Sequence, residues 1–171
     1  MKTFKQFAAV MTLVVPMAAA HAAEVVIDLS ANIDPTLSVL QANGSPMPQN
    51  LDLSYNAATR DIAAPTIQTR LFTNDATQNI QVRLGTASSL VHATNSTVAA
   101  IPLTVQLDGR TITTAATTFN ASDVWSGSGG GESRTLALTV AGRAPGTDAP
   151  VAGRYVGRLD MVILASAAAG T

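Results

Sequence analysis

The chain has 171 residues, with 10 Lys and Arg against 11 Asp and Glu, 2 His and no Cys. Without cysteine there is no disulfide, no thiolate nucleophile and no Cys-based zinc or iron–sulfur site. A slightly acidic chain with scattered Arg lacks the clustered positive charge that nucleic-acid binding demands, while 47% hydrophobic and 12% charged residues favour a packed domain over disorder.

Residues 1–22 read as a secretory signal peptide. Lys2 and Lys5 make the positive n-region, residues 8–20 the apolar h-region, and Ala20-His21-Ala22 the small-x-small cleavage pattern. The cut is expected between Ala22 and Ala23. The apolar stretch is shorter than the roughly 20 residues a membrane-spanning helix needs; the competing reading is a buried N-terminal helix. Cleavage leaves 149 residues with no Lys, a single His, and 8 Arg against 11 acidic groups, a net charge of −3. The mature chain then has neither a Schiff-base lysine nor a paired-His metal motif. Export normally permits disulfides, so here stability has to come from packing or from partner contacts.

The first mature segment alternates strictly. Val25, Ile27, Leu29, Ala31 and Ile33 point one way, and Val26, Asp28, Ser30, Asn32 and Asp34 the other. Pro35 ends the pattern, since proline cannot continue a central ladder. Two readings stand side by side. The segment is the first strand of its own sandwich, or it is a detachable strand that fills a groove in a neighbouring copy by donor-strand complementation. Pro35 is correspondingly a simple terminator or a hinge.

Further along, period-two alternation recurs in Leu51, Leu53, Tyr55; in Ile80, Val82, Leu84; in Leu103, Val105, Leu107; and in Leu136, Leu138, Val140. Residues 37–41 and 66–73 read as two more strands. A long final strand is expected from Arg154 to Ala165, with Tyr155, Leu159, Met161 and Ile163 on one face. Turn chemistry separates the runs at Asn43-Gly44, Asp108-Gly109, residues 126–131 and residues 145–153. Short strands at this spacing, without a long amphipathic helix, predict one antiparallel β-sandwich domain.

Chemistry-bearing side chains are sparse. His92 is the only imidazole candidate for general-base work in the mature chain, and no nucleophile-elbow motif accompanies it; a surface or loop histidine is the plain alternative. Residues 126–131 (Ser-Gly-Ser-Gly-Gly-Gly) lack the Gly-Lys-Ser/Thr ending of a phosphate loop. Trp125 is either a core or interface residue or a platform for a sugar ring. The Asp residues are dispersed, so no calcium loop is expected. The reading is a non-enzyme without cofactor or metal.

Ala31-Asn32-Ile33-Asp34-Pro35-Thr36, then Leu40-Gln41-Ala42-Asn43-Gly44-Ser45 and Leu51-Asp52-Leu53-Ser54-Tyr55, resemble the start of major pilins of class 5 (alpha) chaperone–usher fimbriae, the CFA/I, CS1 and cable pilus family. Phe72-Thr73-Asn74-Asp75, Ile101-Pro102-Leu103-Thr104-Val105 and Ala152-Gly153-Arg154-Tyr155-Val156-Gly157 look like further blocks in the family's order. The glycine-rich 126–131 loop, residues 143–153 and the alanine-rich tail depart from it. The resemblance implies an immunoglobulin-like, all-β sandwich that lacks its final strand. It divides the chain into a signal peptide (1–22), an N-terminal donor strand and hinge (23–35) and a pilin domain (36–171). Val25, Ile27, Leu29, Ala31 and Ile33 would then enter the neighbour's groove, with Pro35 at the joint.

The implied partners are identical subunits, a periplasmic chaperone, an outer-membrane usher and a tip adhesin. The implied location is the surface fimbria of a Gram-negative bacterium, reached through the periplasm. The expected role is a major pilin that polymerises by donor-strand exchange and serves adhesion. A minor or tip pilin is the alternative within the class, and a monomeric secreted carbohydrate-binding sandwich the alternative outside it. The composition sets the same boundary: no mature lysine is present for a covalent isopeptide link between subunits.

Overall fold

The computed structural model describes residues 37–126 and 131–166. In chain order the strands are β1 (Ser38–Gln41), β2 (Ser54–Asn56), β3 (Asp61–Ala63), β4 (Ile67–Thr73), β5 (Asn79–Leu84), β6 (Ser89–His92), β7 (Ile101–Leu107), β8 (Arg110–Ile112) and β9 (Thr117–Phe119). A single helical turn, α1 (Ala121–Val124), precedes β10 (Gly131–Glu132), β11 (Leu136–Arg143), β12 (Tyr155–Gly157) and β13 (Met161–Ser166). Ten strands form one sheet: six follow the path β1-β4-β11-β7-β6-β12, and off it β10 pairs with β4, β3 with β11, β2 with β3 and β8 with β7; a second sheet runs β13-β5-β9. Every ladder between these strands is antiparallel.

Alternation dictates the layering. In β5 the apolar set Ile80, Val82 and Leu84 is buried while Gln81 and Arg83 are not. In β11 Leu136, Leu138 and Val140 are buried in the same alternating way. The two inner faces meet in a core of Leu71, Ile80, Val82, Leu107, Phe119 and Leu136, among others. A smaller cluster of Ile62, Leu90, Ile101 and Ala144 closes the opposite end. This is the predicted antiparallel sandwich. The Asp108-Gly109 turn joins β7 to β8 with φ of 52° and 77°, the paired left-handed geometry that matches strand twist in a two-residue hairpin.

Arg134 locks this turn to the rest of the fold. Its guanidinium donates to both carboxylate oxygens of Asp108 and to the carbonyl of Asp123. Hydrogen bonding from Arg134 holds the Asp108 carboxyl below its ordinary value. Asp108 raises Arg134 in return.

Two expectations need correction. The final strand from Arg154 to Ala165 is not continuous: β12 pairs with β6 in the large sheet, and β13 pairs with β5 in the small one. The chain changes sheet across residues 158–160, where Ser88 Oγ donates to the Arg158 carbonyl and Gly85 N–H to the Asp160 carbonyl. Gly157 permits the crossing, because a Cβ there would collide with the carbonyl oxygen of Ser89. The run Leu51–Leu53–Tyr55 is likewise mostly not a strand. Only Ser54–Asn56 pairs, with β3, and the preceding residues lie along the groove described next.

Candidate functional site: an open groove between two sheet edges

A sandwich whose sheets both end on an unpaired strand leaves a slot between the two edges. The ladders leave β1 at one end of the large sheet and β13 at one end of the small sheet. β13 uses all six residues to pair with β5, from Met161 opposite Leu84 to Ser166 opposite Asn79. No other described strand pairs with its outer edge. Along β1, the inner side pairs with β4 from Ser38 opposite Phe72 to Gln41 opposite Thr69. Its outer side is met only near its end, where Leu40 bridges to Pro46 and Gln41 N–H donates to Ser45 O at 2.8 Å.

Between these edges lies a groove of about 1070 Å³. One lip carries Leu37 and Val39 of the β1 edge, then Met47, Leu51, Leu53 and Tyr55. The other carries Tyr155, Leu159, Met161 and Ile163. The floor is formed by Ile62, Ile67, Leu90, Leu103, Leu138 and Val140. The four residues expected on one face of the final strand thus do share a surface, because the switch between sheets preserves their alternation.

The lips carry many incompletely covered aliphatic side chains, interspersed with the polar Gln49, Asn50, Asp52, Arg154 and Arg158. Leu37, Val39, Met47, Leu159, Met161, Ile163 and Ala165 pack against the main core and are only partly buried. Leu53 and Tyr155 of the lips, and Leu103 of the floor, do the same at the other cluster. Half-buried aliphatic side chains beside unpaired backbone N–H and C=O groups match what an added strand supplies: ladder hydrogen bonds from its backbone and alternate side chains for the trough. The upper end of the groove lies where β1 begins and β13 ends. The lower end lies at β2 and β12.

Val25, Ile27, Leu29, Ala31, Ile33 and Pro35 lie outside the described residues, as do Ala22 and Ala23 of the expected cleavage site. The groove is what the fold adds to the sequence reading. Its floor residues sit on several different strands, and only their pairing brings them together.

The remaining candidates resolve into structure. Trp125 is 9% exposed and packs in the main core, with Nε1–H donating to the Gln78 carbonyl at 2.9 Å. It presents no open face to a sugar, so the carbohydrate-platform reading loses its residue. Trp125→Ala is expected to lower stability by about 3–5 kcal/mol, the usual range for deleting a buried indole, read as a fall in the urea midpoint. His92 ends β6 with its ring edge-on to Tyr155, centroids 5.1 Å apart. Its Nε2 lies 3.3 Å from the Ala152 carbonyl, and its Nδ1 accepts from Thr94 N–H at 3.3 Å. The Thr94 hydroxyl lies 3.5 Å from the same Nδ1, and together these contacts tie β6 to the chain entering β12.

Comparison with known proteins accords with this geometry. The sequence model for the CS1 type fimbrial major subunit matches residues 23–164. The chain is 32% identical over 148 residues to a CFA/I fimbrial subunit of Escherichia coli, covering 84% of this chain and 86% of that protein. It is 32% identical over 152 residues to a CS1 fimbrial subunit of Escherichia coli, covering 86% and 88%. The solved structure of the CooA pilin subunit from enterotoxigenic Escherichia coli superposes with a TM-score of 0.70 at 30% identity, over 77% of this chain and 88% of that one.

Proposed function

The chain belongs to the family of CS1-type fimbrial major subunits and is a structural pilin of a surface fimbria; from that premise we propose that it polymerises by lending residues 25–33 to the groove of another copy. One observation carries the reading: among the described residues the outer edge of β13 has no strand partner, and the groove beside it is lipped by half-buried aliphatic residues. The N-terminal segment offers the complement in the same chain, five apolar side chains at every second position. At about 3.3 Å per residue, nine residues extend about 30 Å, enough to run past β13 and on toward β12. The family match beginning at residue 23 also supports a mature chain that starts at Ala23 with this segment at its tip.

In this account Val25, Ile27, Leu29, Ala31 and Ile33 fill the trough, and Pro35 is the joint before the body. A periplasmic chaperone occupies the same groove during transit, an outer-membrane usher exchanges it for the next subunit, and a tip adhesin heads the fibre. Adhesion is served through the fibre, without catalysis, metal or cofactor.

The test acts on the recipient side. Ile163→Asp places a carboxylate in the groove while leaving residues 25–33 intact. Fibre growth beyond the altered subunit should stop and chaperone capture should weaken, since both occupants use one trough. Mixed with unaltered protein, the variant should still add to a growing fibre once, as a cap. Long fibres made wholly of the variant would contradict the proposal.

A further inference from the structure

Among the described residues, five large apolar side chains are exposed: Tyr55, Val91, Val151, Val156 and Leu164. Four of these five belong to elements at the lower end of the groove. Tyr55 (42% exposed) and Val156 (39%) line the groove on opposite lips. Val91 is the register partner of Val156 across β6 and β12. Val151 (52%) precedes β12, and its carbonyl accepts the Tyr155 hydroxyl at 2.9 Å. Beside them a second cavity of about 230 Å³ opens between residues 98–101 and 145–151, and Tyr155 forms part of its wall as well as of the groove's. The cavity is built rather than loose: Arg60 Nη1 donates to the carbonyls of Gly146 and Asp148 and holds that loop in place.

We infer that this lower rim, with Tyr55, Val151, Val156 and the small cavity, is the seat for the body of the next subunit, which meets it with its own upper end. The inference rests on the donor-strand reading and adds a second contact surface to it. Direction comes first. All ladders among the described strands are antiparallel, and antiparallel pairing predominates generally, so an incoming strand runs antiparallel to β13. Its last residue, Ile33, then lies at the lower end, beside the rim.

Length comes second. Only residues 34–36 separate Ile33 from Leu37, where the next body begins, and four residue steps span at most about 14 Å. The two bodies are therefore held against each other at this rim. The upper end of the incoming body is where its β1 starts, beside Phe72 and Glu132 and the β4–β5 turn. Asp75 organises that turn: its Oδ1 accepts Thr77 N–H at 3.0 Å and Thr77 Oγ1 at 2.6 Å, and its Oδ2 accepts Gln78 Nε2 at 2.8 Å. Such a contact is head-to-tail and does not close on itself, as a fibre requires.

Photo-crosslinking in assembled fibres of the full mature chain tests this. Benzoylphenylalanine replaces Val156 in one variant and Leu29 in another, both sites being exchanged for a large apolar group. After irradiation, the position-156 variant should shift from monomer to dimer and higher species in denaturing gels, with the crosslinked peptide mapping to residues 72–78 or 131–132 of a different copy. The position-29 variant should crosslink to β12 or β13 of a different copy. If position 29 reaches β12 or β13 while position 156 crosslinks only within its own chain or to another region, the rim is not the seat and the donor-strand reading stands. If position 29 fails to reach that groove, both fall together.

Discussion

Removal of residues 24–34 from the exported chain is expected to abolish fibres without preventing formation of the chaperone complex. The deletion removes what a subunit gives and leaves what it receives, because both lips and the floor of the groove lie at Leu37 and beyond. Four large aliphatic side chains at about 1.5–3 kcal/mol each represent on the order of 6–12 kcal/mol of burial before ordering costs. No covalent link stands in for them, since the chain has no cysteine and its two lysines, Lys2 and Lys5, lie within the expected signal peptide. The check is electron microscopy of surface fibres, with co-purification of the chaperone complex from the periplasm. Fibres of normal length after the deletion would show that another segment joins the subunits.

The second large effect is expected from Leu29→Asp, a single change at the middle of the five alternating positions. In the groove its carboxylate would face the partly buried, aliphatic lips formed by Leu159, Met161 and Ile163. Two arginines line the groove: Arg158 is paired with Asp160, and Arg154 precedes β12 at the lower end, away from the middle of the groove where Leu29 would lie. A buried, unpaired carboxylate costs several kcal/mol. At about 3 kcal/mol the affinity of one subunit for the next falls more than a hundred-fold. Fibre yield should collapse, with the monomer's urea midpoint unchanged. An undiminished yield would place Leu29 outside the groove.

These effects bear on which parts of the molecule its sequence discloses. Long half-buried strands are legible because one face is wet: Ile80, Val82 and Leu84 in β5, and Leu136, Leu138 and Val140 in β11, alternate with polar residues and are found where the pattern puts them. Strands of three residues, such as β3, β8 and β9, carry too few positions to establish a period. The break between β12 and β13 is hidden for a different reason. The alternation of Tyr155, Leu159, Met161 and Ile163 runs straight through it, and only the pairing partners change. Trp125 is ambiguous in sequence because an indole suits a core and a sugar platform equally; its burial and its bond to Gln78 decide the matter.

The donor half of the proposed site is legible as five apolar residues in one short run. The recipient half is not, because Leu37, Leu53, Leu90, Leu103, Val140 and Met161 are far apart in the chain and converge only through ladder order. Nothing in an isolated strand pattern distinguishes a residue covered by its own fold from one awaiting cover. The distinction lies in partial burial beside an unpaired edge.

The most direct test of the central claim supplies the missing strand as a free peptide. A synthetic peptide of residues 24–34 is titrated into the protein lacking those residues, released from its chaperone, and the thermal midpoint is followed. A ligand that binds only the folded state stabilises it by about 2.7 kcal/mol at a hundred times its Kd, a rise of roughly 5–10 °C for a domain of this size. The account predicts that rise, and its absence with the same peptide carrying Leu29→Asp. A midpoint indifferent to the unaltered peptide across the titration would contradict it.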